Sequence, residues 1–518
     1  MKRVTIIGAG LSGLSAAIEL AKQNIESSLI SPMPSERAQS VLAEGGINAA
    51  LDLMGEGDTT AEHLADTVRG GVFLADPNAV AGLTEHAPEI VEWLRSAGVP
   101  FQMEDGKMVQ RNFGGQKKKR TAYAKSSTGK VIMTALIDEA RKYEAAGLIH
   151  RYPRHELVRL DIRDGRCAGA FVRDTYTGET FCFPGAVILA MGGPNGLFPG
   201  STTGTTLNTG DALAVVFSQG VELANLEFIQ YHPTTVRIPG KRLLISEAAR
   251  GEGGRLFTLR DGERRYFMEE KYPELGNLMP RDVISREMAT LGSPVFLDLT
   301  GLPKKTWQTR LSDMREEIRH YLGVDPVKTP VPVSPGIHFF MGGVYVDEGH
   351  RTSLPGLYAA GECACQYHGA NRLGGNSLLG AIYGGGIAAR TAGMEVSDGG
   401  EPYWTESESV DMIQENIGDI LLSGLGILRD EETMRRALER LTDIGEKELT
   451  HLEMKRRALG RAMLLSALAR QESRGAHTRT DFPERDDERF RKTTVAAYRD
   501  GRIEISFRDI PAGREAEA

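Results

Sequence analysis

The chain has 518 residues, too many for one small domain, and its 41% hydrophobic and 25% charged content allows a sizeable core. A net charge of −8 and a pI near 5.9 argue against nucleic acid as the main partner. Four cysteines in this length exclude a disulfide framework, no apolar run is long enough to cross a bilayer, and the opening "MKRVTIIGAG" lacks a signal-peptide layout, so the chain reads as a reduced, cytoplasmic protein.

Val4 to Ile7 reads as a short buried strand. "GAGLSG" follows, placing Gly8, Gly10 and Gly13 at G-x-G-x-x-G spacing, with Ala9 and Ser12 between them, ahead of a helix in "LSAAIELAKQ". This is a dinucleotide-binding turn: Gly8 for the tight bend, Gly10 for close approach of a pyrophosphate, Gly13 for helix–strand packing, and the first helical amides for the phosphates. The second strand ends in Ser31-Pro32 without the usual ribose-binding acid, and Glu36 comes too late, which weakens a plain NAD reading. "AQSVLAEGGINAAL" (38–51) then sets a glycine pair, Gly45-Gly46, early in the chain.

The basic run Lys117-Lys118-Lys119-Arg120 reads as a solvated loop. Residues 155–193 read as strand, Asp-Gly turn, strand, turn and strand, a small meander, and "AVILAMGG" reads as a buried strand running into Gly192-Gly193 as a second backbone approach to a cofactor. "TGDALAV" starts a helix with Asp211 near its N-terminus. "PGLYAAGECA" is again a strand entering a glycine turn, with Glu362 after it, and its Cys363-x-Cys365 pair reads as packed thiols. The cofactor-binding elements are therefore split between 1–225 and 340–395, with 226–339 inserted between them. A linker precedes amphipathic helices over 405–475, and 476–518 reads as a polar, charged tail.

The segments "AEGGINAAL", "NFGGQ", "EFIQYHPTTV", "LLISEAARGEGG", "PRDVISREM", "GIHFFMGGVYVD", "GLYAAGECACQYHGANRLGGNSLLGA" and "ESRGAHTRTDFPERDD" carry a resemblance along nearly the whole chain. It resembles the flavoprotein subunits of succinate dehydrogenase and fumarate reductase, a family that also includes L-aspartate oxidase. The resemblance implies an α/β, Rossmann-like FAD-binding domain, an inserted α+β capping domain and a C-terminal helical domain. It implies FAD held by the glycine turn, Ser31, Ser40, Gly45, Gly46, Gly192, Gly193, Asp211, Glu362, Asn376, Ser377 and Leu378.

By the same resemblance His232, Ser246, His338 and Arg372 hold the carboxylates of a dicarboxylate. Arg281 donates a proton while a hydride leaves flavin N5, and Glu247 and Arg250 resupply that proton. Each has a duller alternative: a core histidine, a surface Glu247–Arg250 pair, or an Arg281 ion pair with Asp282 or Glu287. Phe113 and Gln116 bear on substrate choice, because L-aspartate oxidase carries a glutamate where Phe113 stands. The basic run in that loop is a candidate for attracting dianions. Gln39 stands where the respiratory enzymes carry a histidine bonded covalently to FAD, so a non-covalent flavin that favours fumarate reduction is expected. No cysteine set for an iron–sulfur cluster is present, so electrons are expected from an iron–sulfur subunit, with any membrane association through partners. L-aspartate oxidase and a catalytically silent electron-relay subunit stand as alternatives.

Overall fold

The strand Arg3–Ile7 is buried along its whole length, because its run of branched residues lies in the middle of a parallel sheet. That sheet has five strands in the order Leu357–Ala359, Ala186–Leu189, Arg3–Ile7, Glu26–Ser31 and Ile149–Pro153. All the pairings in this sheet are parallel, so the strands that end at residues 7, 189 and 359 finish at the same edge, and the glycine turns that follow them open there. The helices Leu11–Lys22 and Asn376–Glu395 cover one face and share a core with Thr128–Ala145. The chain is thus an α/β protein. The structure, a computed structural model, describes residues 2–396, 399–406, 417–444 and 449–513.

The meander is present. Strands His155–Arg163 and Arg166–Asp174 pair through an Asp164-Gly165 turn with positive φ at both residues, and Thr180–Pro184 adds a third strand. Tyr403–Thr405 pairs with that third strand, so the linker contributes a fourth.

Residues 229–340 build a separate six-stranded antiparallel sheet in the order Lys241–Leu244, Ile229–Ile238, Val331–Phe340, Val295–Asp298, Arg255–Arg260, Glu263–Arg265. Its own apolar core includes Phe113 from the first part of the chain, which ties the insertion to the parallel-sheet domain. The helix Arg281–Leu291 starts after Pro280, ends at Gly292 with φ of 62°, and is pinned to the sheet where Ser285 Oγ donates to Tyr231 O at 3.0 Å.

Helices Gly418–Gly424, Glu431–Asp443 and His451–Ala469 follow, the last opened by a Thr450/Glu453 capping box. The helix read over "SVDMIQENIGDILL" lies outside the described residues for 409–416. The final segment differs from a polar tail. Lys492–Arg499 and Arg502–Asp509 form a hairpin about Asp500-Gly501, and it extends a five-stranded sheet through Leu223–Ala224. Arg470, fully buried, holds it there by donating to Glu227, Glu472 and the Lys492 carbonyl at 2.7 to 2.8 Å. Most of the segment's own charges are exposed, Arg479 being a buried exception, so its place in the sheet rests on the buried Arg470 and Glu227 upstream of it.

Candidate active site

One cavity of about 630 Å³, inside the size range of cofactor sites, runs from the first glycine turn to the inserted domain. At one end it is walled by Gly8, Ala9, Gly10 and Ser12. A Cβ on Gly8, whose φ is 117°, would lie 2.1 Å from Ala190 O, and one on Gly13 1.9 Å from Gly8 O. Those two glycines are demanded by the chain's own packing. Gly10 is different: its nearest neighbour would be Ser40 Oγ at 3.4 Å, so its open side faces the cavity. The helix after it has no side-chain cap, Leu11 N reaches only Ser40 Oγ at 3.2 Å, and Ser12 Oγ is buried with no partner. Uncapped amides and an orphaned hydroxyl suit phosphate oxygens.

Ser31, Ser40, Gly45, Gly46, Gly192, Gly193, Asp211, Glu362, Ser377 and Leu378 also line this cavity. Gly45 and Gly46 touch it, but Gly46 is a glycine for another reason: at φ of 142° a Cβ would sit 2.5 Å from Ala122 O on the neighbouring strand. Glu362 lies against Gly193, accepts from Phe340 N at 3.1 Å, and burial pushes its carboxyl up to about 6. Asp211 is paired with Arg456 from the C-terminal helices at 2.8 Å. Gln39 lines the cavity and accepts a bond from Thr205 N.

At the other end, helix Arg281–Leu291, strand Ile229–Ile238 and the loop around Arg372 converge. Arg281 donates to Glu247 Oε2 from Nε at 2.9 Å and from Nη2 at 2.6 Å. Arg250 Nη2 approaches Glu247 Oε1 at 3.3 Å, and Gly114 N donates to that same oxygen at 3.0 Å. All three side chains are buried, so the Glu247–Arg250 pair is not a surface pair. Glu287 instead receives Lys271 and Tyr272, so it is not Arg281's partner. Burial alone would raise the Glu247 carboxyl, but the Arg281 and Arg250 guanidiniums outweigh it and hold it below the usual carboxylate range.

Gln230, fully buried, joins the two arginines of the cavity: its Oε1 accepts from Arg281 Nη1 and Arg372 Nη2, both at 3.0 Å. Its Nε2 donates to Arg372 O at 2.7 Å. Arg372 Nε is buried without a partner, and burial and the Arg281 charge push its guanidinium well below its ordinary value. His232 and His338 stand edge to face with ring centroids 5.1 Å apart. Burial, then the nearby arginines, hold both far below the ordinary histidine value, so both rings are neutral. Thr234 N donates to His232 Nδ1 at 3.3 Å, which leaves its proton on Nε2. Thr203 Oγ1 meets His338 Nδ1 at 2.8 Å. Ser246 and Phe113 complete this end. Arg281 and Arg372 at the wall, with Arg250 behind Glu247, outweigh that one carboxylate, and with the unpaired Arg372 N–H they form a site for an anion.

Residues 3–378 match a family described as FAD binding domain, and 452–514 match one described as fumarate reductase flavoprotein C-term. The succinate dehydrogenase flavoprotein subunit of Bacillus subtilis is 37% identical, over 96% of this chain and 94% of that protein. The chain belongs to the succinate dehydrogenase/fumarate reductase flavoprotein family. A Mycobacterium tuberculosis fumarate reductase flavoprotein subunit is 36% identical over 99% of this chain and 97% of its own length. Among solved structures, an E. coli quinol fumarate reductase superposes with a TM-score of 0.86 at 29% identity, covering 99% of this chain and 98% of that one. This family membership makes the chain an FAD-binding oxidoreductase, and the uncapped helix, Gly10 and orphaned Ser12 hydroxyl fit that cofactor. No helix among the described residues is long and apolar enough to cross a membrane.

Four expected site residues stand behind the cavity wall. Gly13 packs on Gly8; Arg250 backs Glu247, with Nη1 on Asn277 O at 2.7 Å; Asn376 and Gln116 are consumed in a buried amide network. Of the basic run, Arg120 is the opposite of solvated: it is fully buried between Asp58 and Asp66 at 2.8 and 3.0 Å. Lys118 and Lys119 are tied to Glu56, and none of the three lysines lines the cavity. Sequence reading missed Gln230, Thr203 and Arg111, whose Nη2 grips the Gly45 carbonyl and whose guanidinium lies 4.0 Å over Tyr123. Gln230 sits two residues before His232 on an alternating strand, which was the available signal: both must face one side.

Proposed function

We propose that this chain reduces fumarate to succinate, with non-covalently bound FAD. When bound, FAD supplies the hydride. Arg372, with its orphaned Nε–H, takes one carboxylate of the substrate. His232 and His338 act as neutral hydrogen-bond donors beside it, and Ser246 adds a hydroxyl. Neutral rings suit this role, because they orient a carboxylate without competing with the arginines for charge.

Arg281 gives a proton to the substrate carbon. A free guanidinium is too weak an acid for this, with an ordinary value above ~12. Two features support it here: its N–H groups are already aimed by Glu247 and Gln230, and Glu247 Oε2 is in contact to return a proton to the nitrogen left behind. Arg250, behind Glu247, continues the relay. The observation that carries the reading is this buried Arg281–Glu247 contact on the cavity wall, with Arg372 bridged to it through Gln230. Gln39 has no ring nitrogen to form a bond to the flavin. Phe113 cannot pair with an ammonium, which favours a plain dicarboxylate over L-aspartate. An iron–sulfur subunit supplies the electrons; one relative, from Wolinella succinogenes, is an 8-methylmenaquinol:fumarate reductase flavoprotein subunit.

The test is anaerobic oxidation of reduced viologen by fumarate, run beside an aerobic peroxide assay with L-aspartate. Fumarate-dependent turnover that disappears in Arg281→Ala, with no aspartate-dependent peroxide, is expected. Peroxide and iminoaspartate from L-aspartate would overturn the reading.

A further inference from the structure

The loop that presents Arg372 is held from behind. The Gly374 carbonyl accepts two side-chain amides at once, Asn48 Nδ2 at 2.8 Å and Gln116 Nε2 at 2.9 Å. Asn48 also donates its backbone N–H to Gly375 O at 3.2 Å. Gly375, at φ of 85°, has room for no side chain, because a Cβ would lie 2.1 Å from Asn48 Oδ1. On its other side the same loop touches the chemistry: a Cβ on Gly374 would be 2.7 Å from Glu247 Oε2, 2.7 Å from Phe113 and 3.2 Å from Arg281 Nη2. The peptide at 374–375 is thus a wall one residue thick between the Arg281–Glu247 pair and a buried amide network.

That network is fully satisfied around Asn48. Thr121 Oγ1 donates to Asn48 Oδ1 at 2.6 Å, and Asn48 Nδ2 also reaches Asn376 Oδ1 at 2.7 Å. Asn376 Nδ2 donates to Thr67 Oγ1 at 3.0 Å, so its Oδ1 is the acceptor for His63 Nε2 at 3.1 Å. Burial and the Arg120 charge keep His63 neutral, which matches a single N–H on Nε2. None of these side chains except the loop's own backbone faces the cavity, so substrate contact does not explain them.

The geometry points to Asn48 and Gln116 as positioning residues: by holding the Gly374 carbonyl they set the height of the Arg372 guanidinium and keep the wall pressed against Arg281 and Glu247. This rests on the dicarboxylate reading above. It replaces direct substrate contact by Gln116 with an action through the loop. Buried acceptors that lose one of two donors gain freedom rather than collapse, so the expected effect is on binding geometry more than on folding.

The experiment uses the FAD-loaded full chain with Gln116→Met, which keeps the volume and removes the donor, and Gln116→Glu, which puts a carboxylate against the carbonyl. Fumarate KM should rise about tenfold in the first and more in the second, with kcat falling less and flavin content unchanged. Hydrogen exchange of the peptide spanning 372–378, measured without substrate, should accelerate in both. The KM effect should also be smaller in an Arg372→Lys background, because the two changes act on one group. Unaltered exchange would show that no clamp exists. Faster exchange with an unaltered KM would show that the clamp does not position the substrate site. A wild-type chain inert toward fumarate and succinate would instead overturn the functional reading, and exchange alone would still decide the clamp. If Gln116→Glu does not fold, Gln116→Met carries the test.

Discussion

Replacing Arg281 by lysine keeps the charge and most of the buried stem but deletes the planar fork. In the structure Arg281 makes three side-chain bonds from three nitrogens: two to Glu247 Oε2 at 2.9 and 2.6 Å, and one to Gln230 Oε1 at 3.0 Å. One ammonium cannot occupy all three positions, so at least one partner is abandoned. Charge-assisted bonds contribute about 1.5–3 kcal/mol each. Glu247 keeps a cation, so the folding cost should stay near the lower figure. Proton transfer suffers more, because general acid catalysis by a placed group contributes about 10²–10⁴-fold. At pH 7 kcat for fumarate with reduced viologen should therefore fall by about 10³. Flavin content should not change, since Arg281's bonds run only to Glu247 and Gln230. A lysine variant turning over within about threefold of wild type would refute the assignment of Arg281 as the proton donor, since that step loses at least ~10²-fold without its acid.

Acid precipitation of the purified chain should release all flavin into the supernatant, because Gln39 provides no nucleophile; flavin retained in the pellet would contradict the non-covalent reading. Stability should decline as pH falls below 7. Burial holds His63 at about 3 and His350 at about 4, both below the unfolded value near 6.5, so their contribution is complete above 6.5 and is lost as pH drops toward 4. Each is worth on the order of 3 kcal/mol over that window. A melting temperature that is flat between pH 7 and pH 5 would count against this. Replacing Lys117, Lys118 and Lys119 by glutamine should leave the fumarate KM unaltered at low and high salt, because Lys118 and Lys119 are already engaged by Glu56. A rise in KM confined to low salt would show that the run steers dianions after all.

Much of the site was legible because it rests on local pattern. A strand, a glycine turn and a helix are contiguous, so their spacing in the sequence is their spacing in the fold, and Gly8, Gly10 and Ser12 could be placed from it. The meander was equally plain, since its Asp-Gly turn imposes the hairpin. The final hairpin was not, although "RIEISFRD" alternates polar and apolar residues. Its charges suggested solvent, and only the docking of Arg470 and Glu227 shows where the backbone carbonyls go.

The sequence by itself determined the family and the candidate residues for its chemistry, because side-chain type limits what a group can donate, accept or bond. Which of those residues reach the cavity was decided only in three dimensions. Gln116 and Asn376 sit in matching motifs yet turn away from the cavity, Gln116 to the Gly374 carbonyl and Asn376 to Asn48, while Gln230 and Thr203, unremarkable in the sequence, close the contacts between Arg281, Arg372 and His338. Those contacts join residues more than 50 positions apart. A buried polar group must find a partner wherever packing brings one, and no spacing along the chain specifies which.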